Sequence, residues 1–381
     1  MKNLMPFANW DSIKILSSFK WISAYAWQQT ISRAHSSVPP HLILALADHF
    51  EPYILPHNLG VYASRTEQLR RVKAWCQQYP TSFDSCRDSD GHTFRHTYFY
   101  PAEHYDSDII SLLAEHCRNG WGEIEIHLHH GMKVPDTAEN TRNLLVSFRD
   151  RLVQHGCLSR LDDSGVPRYA FVHGNWALAN SAGNHFCGVD SEMQILAETG
   201  CYADFTMPSA PSRGQVSKIN ALYECVEPLE RRAPHRHGRD LARGRRPQVF
   251  PILVQGPLML DFSRRKRRIF PALENSELSG ANPPALQRLH LWQRAAITVQ
   301  GCLEWLFVKL HCHGMDPRST PALLGPPMQN FLHNLADAGR GGGFQTHFVT
   351  AREMTNLILA ACDEKNGDPC MFRGYRLRPI K

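Results

Sequence analysis

Short apolar runs alternate along this chain with stretches of helical period. Seven runs have the length and turn-residue boundaries of buried strands: Leu42–Ala47, Thr97–Tyr100, Glu123–His129, Tyr169–His173, Tyr202–Thr206, Phe250–Gln255 and Trp305–His311. Runs that are apolar at consecutive positions suit strands covered on both faces. Between them, Arg65–Gln78, Ser107–Arg118, Thr141–His155, Ser191–Thr199 and Pro284–Gln300 carry helical spacing. In Ser107–Arg118, for instance, Ile109, Ile110, Leu112, Leu113 and His116 share one face. Alternating β and α segments predict parallel strands joined by right-handed crossovers. Seven such units over about 270 residues favour a closed or nearly closed barrel over a wide open sheet.

Three segments break the pattern. Residues 207–249 hold Pro208, Pro211, Pro228, Pro234 and Pro247, and predict a lid, an insertion or a partly disordered stretch. Residues 314–343 also read as irregular, and Gly341-Gly342-Gly343 as a hinge or tight turn. After it, Thr350 and Glu353 form a capping box ahead of a helix over Met354–Cys362, whose Leu357, Ile358 and Ala361 predict docking on the barrel. Near the start, Ile13, Leu16, Phe19, Ile22 and Ala26 outline an amphipathic helix over Ile13–Trp27. It docks on its own domain or, as the alternative, lies on a membrane surface. The expected organisation is an amphipathic extension over 1–40, a barrel over 41–316 with an insertion at 207–249, and an extension over 317–381 that packs on the barrel.

Composition narrows the class. Of 381 residues, 43% are hydrophobic and 20% charged, with 25 Gly and 25 Pro lacking any period, so collagen-like, coiled-coil and wholly disordered chains are excluded. No apolar run approaches the roughly 20 residues that span a bilayer. The net charge is +6, but Arg231 to Arg268 alone carries twelve basic and two acidic residues, so the rest of the chain is acidic. No nucleic-acid readout motif accompanies that segment, and specific nucleic-acid binding is not expected. It reads as a solvated loop or as a rim for an anionic polymer or membrane surface. The 11 cysteines are irregularly spaced with no C-x-x-C, which argues against a disulfide framework and for a reducing, cytoplasmic setting.

Candidate chemistry gathers where strands end. Asp48-His49-Phe50-Glu51 follows the first, His127-Leu128-His129-His130 ends the third, and His173-Gly174-Asn175-Trp176 follows the fourth. The fifth contains Asp204, and the seventh ends in His311-Cys312-His313. Barrel active sites sit at that rim. His127 and His129 lie two apart on a strand, point the same way and can chelate one ion, while His130 points to the other face unless the strand has ended. Asp48 follows a buried strand and needs a partner, which a cation would supply; a helix cap or turn role is the alternative. Glu51, followed by Pro52, is expected in solvent.

The order of these motifs resembles the polysaccharide deacetylase superfamily, the NodB-homology or carbohydrate esterase family 4 group. Ile43-Leu44-Ala45-Leu46-Ala47-Asp48-His49 stands at that family's first motif. His96-Thr97-Tyr98-Phe99-Tyr100, the helix that follows and Gly122-Glu123-Ile124-Glu125-Ile126-His127 follow its succession. Phe171-Val172-His173-Gly174-Asn175-Trp176, Asp204 and Val308-Lys309-Leu310-His311-Cys312-His313 stand at the later motifs. The chain departs from the family at His49, which replaces an aspartate, at H-x-H-H, and in lacking an Arg-x-Pro-aromatic motif.

The resemblance implies a distorted (β/α)7 barrel with a long Arg/Pro-rich insertion and a C-terminal helical extension. It also implies a divalent ion (zinc, with cobalt or manganese as alternatives) and removal of acetyl groups from an N-acetylated carbohydrate, including an anionic polysaccharide. Asp48 would be the base, with His311 or His313 as acid. Asp48, His49, His127 and His129 would hold the metal, with His130 as substitute; if Asp48 is only a ligand, Glu51 or Asp204 becomes the base. His130, His173, Asn175, Trp176 and Asp204 would contact the sugar. The competing functions are metal-dependent glycosidic hydrolysis on the same barrel and a non-catalytic glycan-binding or assembly protein.

Overall fold

A computed structural model describes residues 20–30, 40–55, 61–162, 164–266 and 270–380. All seven expected strands form: β1 (His41–His49), β2 (His96–Pro101), β3 (Gly122–Leu128), β4 (Pro167–His173), β5 (Cys201–Asp204), β6 (Ile252–Val254) and β7 (Trp305–Cys312). Neighbours run parallel in the order β7-β1-β2-β3-β4-β5-β6. An additional strand, β8 (Gln345–Val349), lies parallel beside the first half of β1, and β2 beside the second half. The architecture is thus mixed α/β with a large, mostly parallel sheet. Among the described residues no ladder joins β6 to β7. Gly256, just past β6, nonetheless abuts β7, since a Cβ there would stand 2.2 Å from the Lys309 carbonyl oxygen.

The helices are α1 (20–30), α2 (Arg65–Phe83), α3 (Ser107–His116), α4 (Ala138–Gln154), α5 (Glu192–Thr199), α6 (Leu289–Ala295), α7 (Thr320–Leu324), α8 (Pro326–Gly342) and α9 (Ala351–Cys362). Strand alternation divides the apolar side chains into two layers. Leu42, Leu44 and Leu46 of β1 join Val72, Trp75 and Tyr79 of α2 in the outer layer. Ile43, Ala45 and Ala47 face inward with Phe99, Val172 and Phe307. Met354, Leu357 and Ile358 of α9 fill that inner face, and every residue of α9 is buried. This explains why β1 is apolar at every position from Leu42 to Ala47 and why its inner residues include two alanines. Trp21 and Tyr25 of α1 are buried in the same layer.

The capping box forms as expected, with Thr350 and Glu353 exchanging hydrogen bonds. Glu353 is also the hub of a buried charge cluster. It accepts from Arg95 at 2.7 Å and lies 3.7 Å from Arg373 and 3.8 Å from Arg352. Burial would raise its carboxyl, but the three guanidinium groups outweigh burial and hold it below its ordinary value. Its contribution is therefore complete above the ordinary glutamate range and lost as pH falls through the lowered folded-state value. Glu353→Ala is expected to cost about 3–5 kcal/mol in urea unfolding, because Arg95 loses its counter-charge while Arg352 keeps Glu123 and Arg373 keeps Asp88 and Asp90. Glu353→Gln should flatten the acid limb of stability against pH.

Several segments differ from expectation. The helix expected over Pro284–Gln300 narrows to a 3-10 turn and α6, and ends at Ala296, whose φ is +50°. Residues 314–343 are not irregular but hold α7 and α8. Prolines at the start of α8 need no amide partner, and its glycines occupy the last turn and the left-handed cap at Gly343. The connection 207–249 is built into the sheet, since Leu222–Glu224 pairs antiparallel with β6 and Arg239–Asp240 pairs with that strand in turn. Its arginines are largely partnered: Arg239 with Glu224, Arg236 with Glu227 and Arg246 with Asp363. The first part of the expected amphipathic helix (13–19), most of the expected 1–40 extension, and Arg267 and Arg268 lie outside the described residues. All 11 cysteines are free. No helix among the described residues is long and apolar enough to cross a membrane.

Candidate metal centre

The inward phase of three strands brings imidazoles together. On β1, His49 continues the inward series Ile43, Ala45, Ala47. On β7, His311 continues Phe307 and Lys309. Just past β3, His129 continues Glu125 and His127. The rings of His127 and His129 lie 4.5 Å apart, and that of His49 lies 4.9 Å from His127, 4.7 Å from His313 and 5.9 Å from His311. The Trp176 ring stands 6.3 Å from both His49 and His313.

Glu51 is at the centre of this group. Expected in solvent, it is instead only 3% exposed. β1 ends at His49, and the turn that follows folds Glu51 back under the rim, where Tyr53 donates to Oε1 at 2.9 Å. Oε1 lies 3.1 Å from His129 Nε2 and 3.8 Å from His127 Nε2, while Oε2 is 2.9 Å from His313 Nδ1. The other nitrogen of each strand histidine is engaged. His127 Nδ1 donates to the Val172 carbonyl at 2.8 Å, and His129 Nδ1 lies 2.7 Å from Glu103 Oε1. His127 Nε2 is buried with nothing in hydrogen-bond range.

That is the arrangement of metal-binding imidazoles: Nδ1 fixed by an acceptor behind, Nε2 turned to a shared carboxylate in front, with His127 Nε2 lacking any closer partner. Ligands at about 2.0–2.2 Å from a tetrahedral ion stand roughly 3.3–3.6 Å from one another. The two Glu51 spacings bracket that range, and the ligand atoms of Glu51, His127 and His129 all lie within 4.8 Å of one another. The donor set fits a divalent cation.

Electrostatics separate the imidazoles. Burial, then neighbouring imidazoles, push His49 well below the ordinary histidine value; burial, then His129, lower His127. Burial and Lys309 push His311 well down as well. Burial also opposes a charge on His129, but Glu103 and Glu51 outweigh it and raise its pKa to about 10. For His313 burial is likewise outweighed, chiefly by the Glu51 hydrogen bond, and the pKa rises. Burial would raise the Glu51 carboxyl, but the imidazoles of His127, His129 and His313 around it carry it well below its usual range.

Not every expected residue joins this group. Asp48 continues the outward series Leu42, Leu44, Leu46. It accepts from Gly314 N–H at 2.6 Å and lies 2.9 Å from His96 Nδ1, beside Cys312. The pleat therefore turns it to the opposite face of β1 from His49. Asp48→Asn is expected to cost about 1–3 kcal/mol in urea unfolding, as a buried bond to His96 is lost. Elemental analysis after loading with Co²⁺ should find the same metal content in that variant as in the unaltered chain; a loss of the ion would place Asp48 among the ligands.

His130 and His173 face each other in a separate buried group behind His129. Asp204 is buried on β5, accepts from Thr206 Oγ1 at 2.7 Å, and is raised to about 7 by burial. Its electrostatic partner is Lys309, fully buried and lowered to about 7 by burial. Asn175 donates to Met132 Sδ. Glu103, Cys187, Glu192 and Lys309 are the site-forming residues without an expectation. Glu103 alone carries a usable signal: it lies two residues past the end of β2 at the same rim.

No protein-family model matches the chain, and no curated protein matches it significantly. Among solved structures, one from Mycobacterium smegmatis, designated only provisionally as a polysaccharide deacetylase, is similar at 12% identity and a TM-score of 0.44. The match covers 88% of this chain and 95% of that one.

Proposed function

We propose that this protein is a metal-dependent hydrolase that removes acetyl groups from an N-acetylated glycan. One observation carries the reading: two strand imidazoles, each fixed from behind, aim their Nε2 atoms at a buried carboxylate beneath a partly open mouth. The order of strand-end motifs, which resembles the polysaccharide deacetylases, agrees with it.

Glu51, His127 and His129 would hold the ion, with His49 beside them as a further ligand. A divalent ion in such a set supplies Lewis acidity toward a carbonyl oxygen and lowers the pKa of bound water. The protein's own groups supply the rest. Glu51 Oε2 receives a proton or holds one through His313, whose Nδ1 it already binds. His313 is about 30% exposed, so its free Nε2 can deliver that proton to a departing amine. His311, kept neutral by its surroundings, is the weaker acid and lines the floor. Trp176 offers an aromatic face to a sugar ring.

An acidic glycan suits the flank. A cavity of about 540 Å³ opens beside the loop that carries Trp176, lined by Lys20, Ser181, Arg231, Arg232 and Arg236. Its walls are cationic, as an anionic polymer requires.

Acetate should be released from N-acetylated oligosaccharides by protein loaded with Zn²⁺, Co²⁺ or Mn²⁺. Chelation should stop release and re-addition restore it. Undiminished release from protein shown metal-free by elemental analysis would refute the metal role. New reducing ends without acetate would favour glycosidic cleavage.

A further inference from the structure

Behind the candidate centre lies a second group that the proposed reaction does not use. His130 follows β3, His173 ends β4, Cys187 lies in the loop after β4, and Glu192 begins α5. All four are buried, and their ligand atoms lie within 4.8 Å of one another. His130 Nε2 stands 3.0 Å from His173 Nε2 and 2.9 Å from Glu192 Oε1; His173 Nε2 is 3.5 Å from the same oxygen. Cys187 Sγ is 3.7 Å from Glu192 Oε2. The back of each ring is engaged: His130 Nδ1 lies 2.9 Å from Asp136 Oδ2, and His173 Nδ1 donates to the Gly174 carbonyl.

Two imidazole nitrogens facing each other at 3.0 Å either share a proton or bind a common cation. Around a tetrahedral Zn²⁺, with bonds of about 2.0–2.3 Å, ligand atoms stand roughly 3.3–3.8 Å apart. The spacings among His130 Nε2, His173 Nε2 and Glu192 Oε1, 2.9 to 3.5 Å, lie near those edges, and Cys187 Sγ completes a group whose ligand atoms all stand within 4.8 Å. Two imidazoles, a thiolate and a carboxylate make a four-ligand set with no open position, as structural zinc sites have.

We infer that His130, His173, Cys187 and Glu192 form a second, structural metal site for Zn²⁺ or a similar borderline-soft divalent ion. Its place gives it a task. The segment between His173 and Glu192 contains Asn175, Trp176, Ala179, Asn180, Asn184 and Phe186, all with positive φ. Non-glycine residues hold that conformation only where their surroundings over-determine it. An ion tying Cys187 and Glu192 to the ends of β3 and β4 pins this loop at three points. It thereby fixes Trp176 beside His49 and His313.

The test uses the full-length protein loaded with Co²⁺. Elemental analysis should find two ions per chain, and the absorption spectrum a thiolate-to-cobalt charge-transfer band in the near ultraviolet. Cys187→Ser should lose the band and one ion. The double variant His127→Ala, His129→Ala should also bind one ion fewer but keep the band, so failure of the catalytic reading leaves this result standing. Limited proteolysis should cut Cys187→Ser within 174–191 where the wild type resists. If Cys187→Ser does not fold, anomalous scattering from wild-type crystals loaded with zinc locates the ion directly. A wild type without the band, or an ion on Asp48, His96 and Cys312 instead, overturns the inference. The four groups would then close as a proton-sharing network with a charged His130.

Discussion

Replacing His127 and His129 together by alanine is expected to empty the candidate centre and lower acetate release by at least about 10³-fold. The ion's electrostatic contribution is worth several kcal/mol, and each 1.4 kcal/mol is about tenfold in rate. Both imidazoles contribute the nitrogen nearest Glu51, and with both gone only Glu51 and His49 of the proposed ligands are left. His130, one residue on, faces the other way, onto Glu192. Elemental analysis and acetate release should fall together. The fold should survive, because Val172 O and Glu103, which these rings bind, lie at a strand end and at the mouth. Retained activity in a variant that has lost the metal would rule out the proposed chemistry.

Glu51→Gln should lower kcat/KM by about 10²–10⁴-fold, the usual scale of a lost acid–base group. The amide still accepts from Tyr53 and fits the same space. It presents no negative charge to His129 or His313, however, so His313 loses the partner that chiefly raises it and His129 keeps Glu103 alone. Metal content should fall as well, by less than in the double histidine variant. Unchanged kcat/KM would show that Glu51 only organises the histidines, and Asp204 would become the next carboxylate to test.

How far the sequence discloses this arrangement depends on the element. The His-x-His pair is legible because a pleat returns to the same face every second residue, and both rings do point together. Which of Asp48 and His49 faces inward is not legible. β1 is apolar throughout Leu42–Ala47, since α2 covers one side and α9 the other, so no polar alternation ahead of Asp48 marks the phase. Glu51 is hidden by Pro52, which reads as a turn into solvent although the turn folds inward. Cys187 and Glu192 are harder still. A lone loop cysteine carries no spacing, and an acid in the first turn of a helix is already explained by the helix dipole. The seven main strands are legible as buried runs. β8 is not, because five residues between a glycine run and a helix cap look like a connector.

The position of β8 and α9 has a consequence for assembly. His41 in β1 is in register with Gln345 in β8, about 300 positions further along. The first strand thus acquires a flank, and the inner face its filling, only from late in the sequence. Loops of that size must close before those contacts give anything back, so slow folding and a long-lived, sticky precursor follow. Mutations in Met354 or Leu357 should therefore reduce soluble yield more than they reduce the activity of the molecules that mature.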